Sequence, residues 1–245
     1  MDNIDEKDLI SIREASEMLD ISIDTLRRWD ENGRLSSMRD TPTSHRLYSK
    51  KAIKIYLSDL FKMANDWISS GADFPKHFYC QNSSILQTRL IRMQNDLEKI
   101  KDKEIKKIFP LVVAVAGEIG NNSFDHNLGN WPDIPGIFFG YDLNKKQVVL
   151  ADRGQGILQT LKRVRPELID DKEALRVAFT EIVSGRAPEE RGNGLKFVKQ
   201  VVTESLLGLL FQSGSAELEL KKDSPDLNIK NAGSYFRGCI AFLTF

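Results

Sequence analysis

The sequence predicts an α+β protein in two parts, and three patterns predict it. Near the N-terminus, LISIREASEMLDISIDTLRRWDENGRL shows helical spacing twice with a break between. From residue 136 onward, GIFFGYD, KQVVLAD, GLLFQSG, AELELK and CIAFLTF read as strands grouped beside helices, which argues for a two-layer α/β sandwich. Between these parts, LFKMANDWISSGADFP ends a helix and runs into Ser-Ser-Gly and a Pro, a boundary signal. A chain of 245 residues suits about two domains. They fall at residues 1–58 and 76–245, with 59–75 as a linker and the motifs of the second part within 108–245.

Composition excludes several classes. Hydrophobic residues make up 41% and charged residues 29%, enough apolar material for a sizeable core. Formal net charge is zero, so no whole-chain field points to nucleic acid or membrane. The average hides an asymmetry. Residues 1–24 are acidic, whereas 25–55 carry Arg27, Arg28, Arg34, Arg39, Arg46, Lys50, Lys51 and Lys54 against Asp30, Glu31 and Asp40, a local basic stripe. Cys80 and Cys239 lie far apart without metal-ligand spacing, so neither a disulfide framework nor a zinc site is expected. The N-terminus lacks a signal-peptide layout and no apolar run reaches the roughly 18 residues of a membrane span, so a cytoplasmic protein is expected.

Elements follow in order. Ile12, Ala15 and Leu19 make one apolar stripe; after Asp20 and Ile21, Ser22 can cap a second helix carrying Leu26 and Trp29, which Gly33 ends. Two short helices joined by a tight turn are a helix-turn-helix layout. SSMRDTPTSHRLYSKKAIKIYL then places a Thr-Pro-Thr-Ser turn between short extended pieces, a wing, before a helix starting near Lys50. After an extended HFYCQ, the run from Ser83 to Ile108 carries Ile85, Leu86, Leu90, Met93, Leu97 and Ile100 at helical spacing. That stripe fits either a helix packed on its own domain or a dimer seam. Pro110 suits the first turn of the next helix, PLVVAVAGEIGNNSFDHN. After the Asp-Arg-Gly-Gln-Gly turn come a short helix, a polar stretch over about 162–191, and the helix GLKFVKQVVT.

The second part carries the chemistry. On a helix Glu118, Asn122 and Asp125 stand at i, i+4 and i+7, so they project from one face and should line a wet cleft, because a buried unpaired carboxylate costs several kcal/mol. Asn122 offers a hard oxygen suited to Mg²⁺, and a carboxylate one turn away can polarise a water. VVLADRGQGI puts Asp152 at a strand end, where it can accept a hydrogen bond from an exocyclic amine, followed by Gly154 and Gly156 in a tight turn. RGNGLKFVKQVV places Gly192 and Gly194 ahead of a helix whose N–H groups can meet phosphate. Either glycine motif alone also occurs in ordinary turns and caps; the order of all three carries the reading.

Those three motifs resemble the N, G1 and G2 boxes of the GHKL ATPase superfamily, over roughly residues 108–245. The resemblance implies a Bergerat-type fold that binds ATP and Mg²⁺. It implies Glu118 as general base, Asn122 as metal ligand, Asp125 beside them, and Asp152 as adenine reader. Gly154, Gly156 and Ile157 would shape the adenine pocket, and Gly192, Gly194 and Leu195 would hold phosphate. Arg186, Arg191 or Lys196 would offset phosphate charge, and 162–191 would be the ATP lid. No transducer lysine is expected after Phe245. His45, His77 and His126 are the only histidines and none suits a phosphoacceptor helix, which disfavours a histidine kinase.

The first part, TLRRWDENGRL followed by TPTSHRLYSKKAI, resembles the MerR-type winged helix-turn-helix. Thr25, Arg27 and Arg28 lie near the start of the second helix, where a major-groove reader presents its side chains. Arg39, His45, Arg46 and Tyr48 sit in the wing, where phosphate contacts would add affinity. Trp29 and Leu35 belong to the core. A solvated basic face or a protein-binding winged helix is the competing reading. The joint expectation is a homodimeric regulator of double-stranded DNA, switched by ATP. An anti-sigma-factor-like protein Ser/Thr kinase and a nucleotide sensor without turnover are the alternatives, and an unidentified protein partner fits either.

Overall fold

The computed structural model describes residues 8–39, 41, 44–182, 193–223 and 226–245. It separates into two compact units. One is built from the chain up to Met63 with Asp73–Phe78, the other from Ala64–Ala72 with Tyr79–Phe245. The stretch expected as a linker therefore contributes to both.

In the first unit, β1 (Leu9–Ser11) leads into α1 (Ile12–Leu19), whose start is fixed by a capping box. Ser11 Oγ accepts from Glu14 N, and the Glu14 carboxylate accepts from Ser11 N at 2.9 Å. Asp20 ends α1 in the left-handed region, φ 53°, which turns the chain sharply into α2 (Ile23–Glu31), capped by Ser22 as expected. Met38 and Leu47 then pair through two backbone hydrogen bonds, closing the base of the wing. β2 (Leu47–Ser49) pairs antiparallel with β1, and Ser49 caps α3 (Lys50–Leu57). Leu19, Leu26, Trp29, Leu35 and Ile53 are buried beneath these elements. The Arg34 guanidinium lies 4.3 Å over the Trp29 ring.

α4 (Leu60–Ser70) occupies the expected linker. In the second unit, a five-stranded sheet has the order β3-β4-β5-β7-β6, every neighbouring pair antiparallel. Its strands are β3 (Tyr79–Cys80), β4 (Ile137–Asp142), β5 (Gln147–Asp152), β6 (Gly208–Leu220) and β7 (Asn228–Thr244). The helices are α5 (Ser83–Glu98), α6 (Lys103–Asn127), α7 (Gly156–Leu161), α8 (Asp171–Thr180) and α9 (Gly194–Glu204). One core unites α5, α6, α8 and α9 with the sheet face bearing Phe139, Leu150 and Ala241. α6 approaches both neighbours closely at Gly120, where a Cβ would lie 2.5 Å from Leu86 Cδ2 and 3.2 Å from Leu150 Cδ2. Phe138 and Val149, on the opposite face, are also fully buried.

Four expectations change. α6 begins at Lys103 rather than Pro110, because Asp102 Oδ1 caps it through Glu104 N at 2.8 Å. Pro110 is tolerated inside the helix because it is exposed and the carbonyl it leaves unpaired belongs to exposed Lys106, open to water. GLLFQSG and AELEL are one strand, bent by register shifts at Gly214. Part of the stretch expected as a lid is the helix α8, capped by Asp170, with Leu175 and Phe179 in the core and Phe179 edge-on to Phe211 at 5.4 Å. Finally, Leu86, Leu90, Met93 and Leu97 of α5 pack into their own unit and are not left over for a dimer seam. No described helix is long and apolar enough to cross a membrane.

Truncating Leu97→Ala is expected to cost about 2–5 kcal/mol of stability, the usual range for a fully buried leucine. Ile91→Ala, on the exposed face of the same helix, should stay within about 0.5 kcal/mol. Urea unfolding of both variants checks this.

Candidate functional site

α6, the β5–α7 turn, the start of α9 and the inner face of β6 and β7 enclose a cleft of roughly 770 Å³, solvent at its mouth included. Ile119, Ile157, Leu161, Leu195 and Phe211 give it apolar walls, while Asn122, Ser123, His126, Asn127, Asp152 and Thr160 supply polar groups. On α6 the lining residues fall at 119, 122, 123, 126 and 127, one helical face.

Asp152 lies at the end of central strand β5 and is 2% exposed. Ser123 Oγ donates to its Oδ2 at 2.7 Å and Gly154 N to its Oδ1 at 2.8 Å. Burial pushes its carboxyl up to about 6, although hydrogen bonds from the Ser123 hydroxyl and the Gly154 and Cys239 amides oppose the rise. Beside it, the Cys239 thiol is driven well up, by burial first and by the charge of Asp152 second. Asn127 fixes the following turn. Its Nδ2 donates to Ser123 O and its Oδ1 accepts from Gln155 N, both at 2.8 Å. Gly154 packs flat on this amide, where a Cβ would meet Asn127 Nδ2 at 2.1 Å. Gly156 has φ 77°, and Ser213 Oγ accepts from Ile157 N at 2.9 Å. Only a glycine turn brings the backbone this near α6 and β6.

At the other end, the Asn193 side chain makes no capping hydrogen bond to the first-turn N–H groups of α9. A Cβ on Gly194 would lie 2.7 Å from Glu118 Oε2 and 3.2 Å from Asn122 Nδ2. Glu118 and Asn122 therefore face the positive end of α9.

The cleft brings together Asn122, Asp152, Gly156, Ile157, Gly194 and Leu195, and Gly154 shapes its turn through Asn127. Glu118 stands beside Gly194, outside the lining. Asp125 is exposed and does not line the cleft; it is one position off the face that does, so the i+7 extrapolation from Glu118 fails there. Lys196 is half-buried and also outside the lining. Arg186, Arg191 and Gly192 lie outside the described residues. Ser123 and Asn127, missed in the sequence, lie on the same face of α6 as Asn122, one and five positions further along. Among the described residues no group of three His, Cys, Asp or Glu could hold a metal.

The expected DNA face is laid out differently from its sequence reading. Arg27 pairs with Asp24 at 2.8 Å and Arg28 with Asp73 at 2.5 Å. Thr25 is half-buried and accepts from Ser22 Oγ, and His45 is exposed. Arg39 and Arg46 converge on Asp30 Oδ2, each at 2.8 Å, and Ser37 N and Oγ complete the set. Burial would raise the Asp30 carboxyl, but the Ser37 amide and both guanidiniums outweigh it and hold it well below the usual carboxylate range. These two arginines therefore fasten the wing to α2. Tyr48, expected to reach DNA, is instead 1% exposed and donates its hydroxyl to Leu26 O; alternation along β2 turns it into the core.

Residues 11–48 match the family described as MerR family regulatory protein. A segment of 61 residues, 25% of the chain, is 34% identical to the Type II methyltransferase M.Eco47II of Escherichia coli and covers 15% of that protein.

Asp152→Asn is expected to remove a pH dependence. The folded carboxyl sits above its unfolded value, so its favourable contribution is complete below about pH 4 and lost as pH rises through about 6. The variant should gain on the wild type between those limits, by at most about 3 kcal/mol. Urea unfolding at both ends of this window measures it.

Proposed function

We propose that the chain is a DNA-binding regulator whose second unit binds Mg²⁺·ATP, in the manner of the GHKL ATPases, and uses it as a switch. The MerR-type segment at residues 11–48 supports the DNA-binding half. The observation that carries the nucleotide half is the convergence of Asn122, Asp152, Gly156 and Gly194, from three separate motifs, on one cleft.

The residues fit such a ligand. Asp152, ionised above about pH 6, accepts from the adenine amine while Ile119, Ile157 and Phe211 cover the ring. The start of α9, which the Asn193 side chain does not cap, receives phosphate oxygens on backbone N–H groups. Asn122 gives one hard oxygen to Mg²⁺, which usually keeps waters and phosphates as its other ligands. The ion supplies charge neutralisation when bound. Glu118, beside Gly194, would take the proton of a water as the water oxygen bonds to the terminal phosphorus and the bond from that phosphorus to the bridging oxygen breaks, releasing ADP. The MerR-type unit acts as one half of a homodimer on a two-fold DNA site.

One observation favours a second reading, phosphotransfer to a protein Ser or Thr. His126 lines the cleft four residues after Asn122, an Asn-x-x-x-His arrangement also seen in anti-sigma-factor kinases. Transfer of radiolabelled terminal phosphate to a protein rather than to water separates the two readings.

Glu118→Ala should keep ATP affinity by calorimetry while turnover falls about 10²-fold or more; unchanged turnover removes Glu118 as the base. Arg27→Ala should weaken duplex DNA binding and lower its salt slope by about one. Arg46→Ala should in addition lower the unit's melting temperature, because it strips a partner from Asp30.

A further inference from the structure

All four arginines expected on the DNA face have carboxylate partners within their own unit, and one partner differs in origin. Asp24, Asp30 and Glu31 belong to the helix-turn-helix. Asp73 lies beyond α4, outside the residues that match the MerR family. Its Oδ2 receives Arg28 Nη2 at 2.5 Å, and the same guanidinium nitrogen reaches Thr25 Oγ1 at 3.3 Å. Thr25 and Arg28 stand at i, i+3 on the exposed side of α2, opposite the core residues Leu26 and Trp29.

The segment around Asp73 is pinned at a second place. Pro75 is buried, and Lys76 N donates to the Asp20 carbonyl at 3.4 Å. His77 N donates to Asp20 Oδ2 at 3.1 Å, and its imidazole stands 3.7 Å from that oxygen. Asp20 is the left-handed residue that joins α1 to α2. A six-residue stretch is thus held at the turn of the helix-turn-helix and, by a carboxylate, at its second helix.

We propose that Asp73–Phe78 is an autoinhibitory strap, in which Asp73 takes the place of a DNA phosphate on Arg28. The proposal rests on α2 being the groove-reading helix. The pair is well exposed, 64% for Arg28 and 49% for Asp73, so it is weak and exchanges readily for phosphate. The strap therefore tunes affinity and does not abolish it.

The test measures binding of a mixed-sequence DNA duplex by fluorescence anisotropy at low salt. Asp73→Asn should bind about two- to five-fold tighter than wild type, the range set by an exposed ion pair. Arg28→Ala should bind more weakly, and adding Asp73→Asn to it should change nothing further. If Asp73→Asn fails to tighten binding while Arg28→Ala still weakens it, the strap is wrong and the DNA reading stands. An equal gain in the Arg28→Ala background would show a general charge effect and overturn the strap. If the wild type binds no duplex and neither substitution matters, the DNA reading fails and takes the strap with it.

Discussion

A carboxylate buried at the end of the central strand sets the geometry of the second unit. Asp152 keeps its charge near neutral pH only because Ser123 of α6 and the amides of Gly154 and Cys239 meet it. Each partner fixes a different element. Ser123 draws α6 onto β5, Gly154 folds the turn back under α6, and Cys239 belongs to β7. On the β7 side the approach leaves no room for a side chain, since a Cβ on Gly238 would lie 2.0 Å from Asp152 O. A polar group that costs free energy to bury thus dictates three contacts, two of them made beside the glycines Gly154 and Gly238, and the cleft is the space left between them.

The first unit depends on a comparable arrangement at lower cost. Asp30 is shared by Ser37, Arg39 and Arg46, so residues scattered through the wing and its approach all answer to one side chain of α2. A basic stripe in a sequence invites the reading that every arginine faces a nucleic acid. Here two of the arginines lock the wing against its neighbour, with side chains only 28% and 20% exposed. Charge near DNA-contacting elements divides between holding the reader in shape and touching what it reads.

Legibility in the sequence follows the range of the interactions involved. Ser11, Ser22 and Ser49 cap helices through contacts three residues away, and of these Ser22 is read in the sequence as a cap before an apolar run. The strands GIFFGYD and KQVVLAD are legible for the same reason, as period and turn are local. The start of α6 is misread because Pro110 is a strong local signal that a better cap at Asp102 overrides. α8 is hidden because its apolar residues alternate with charges and become a core face only against Phe211 of β6. In the cleft, Asn122 and Asp152 are legible as residue types at meaningful places. Asn127 is not, because its role is to fill the space that Gly154 leaves open 27 residues later. Tyr48 fails in the opposite sense: an aromatic hydroxyl in a basic wing reads as a contact, whereas β2 alternation buries it.

Arg153 shows how the cleft connects to the rest of its unit. It follows Asp152 in the chain, yet its guanidinium points elsewhere, to Asp133 Oδ2 at 2.6 Å and to the carbonyls of Trp67 and Ile68 at 2.7 and 3.0 Å. Those carbonyls belong to the last turn of α4, the negative end of the helix dipole, which favours a cation. Arg237 holds the same Asp133 at 2.9 Å, so the clamp is a shared ion network and not a lone pair. Gly71, at φ 71°, carries the chain past this guanidinium with 3.6 Å between its absent Cβ and Arg153 Nη1. A shift of the Asp152 turn must therefore move Arg153 or break its bonds to α4.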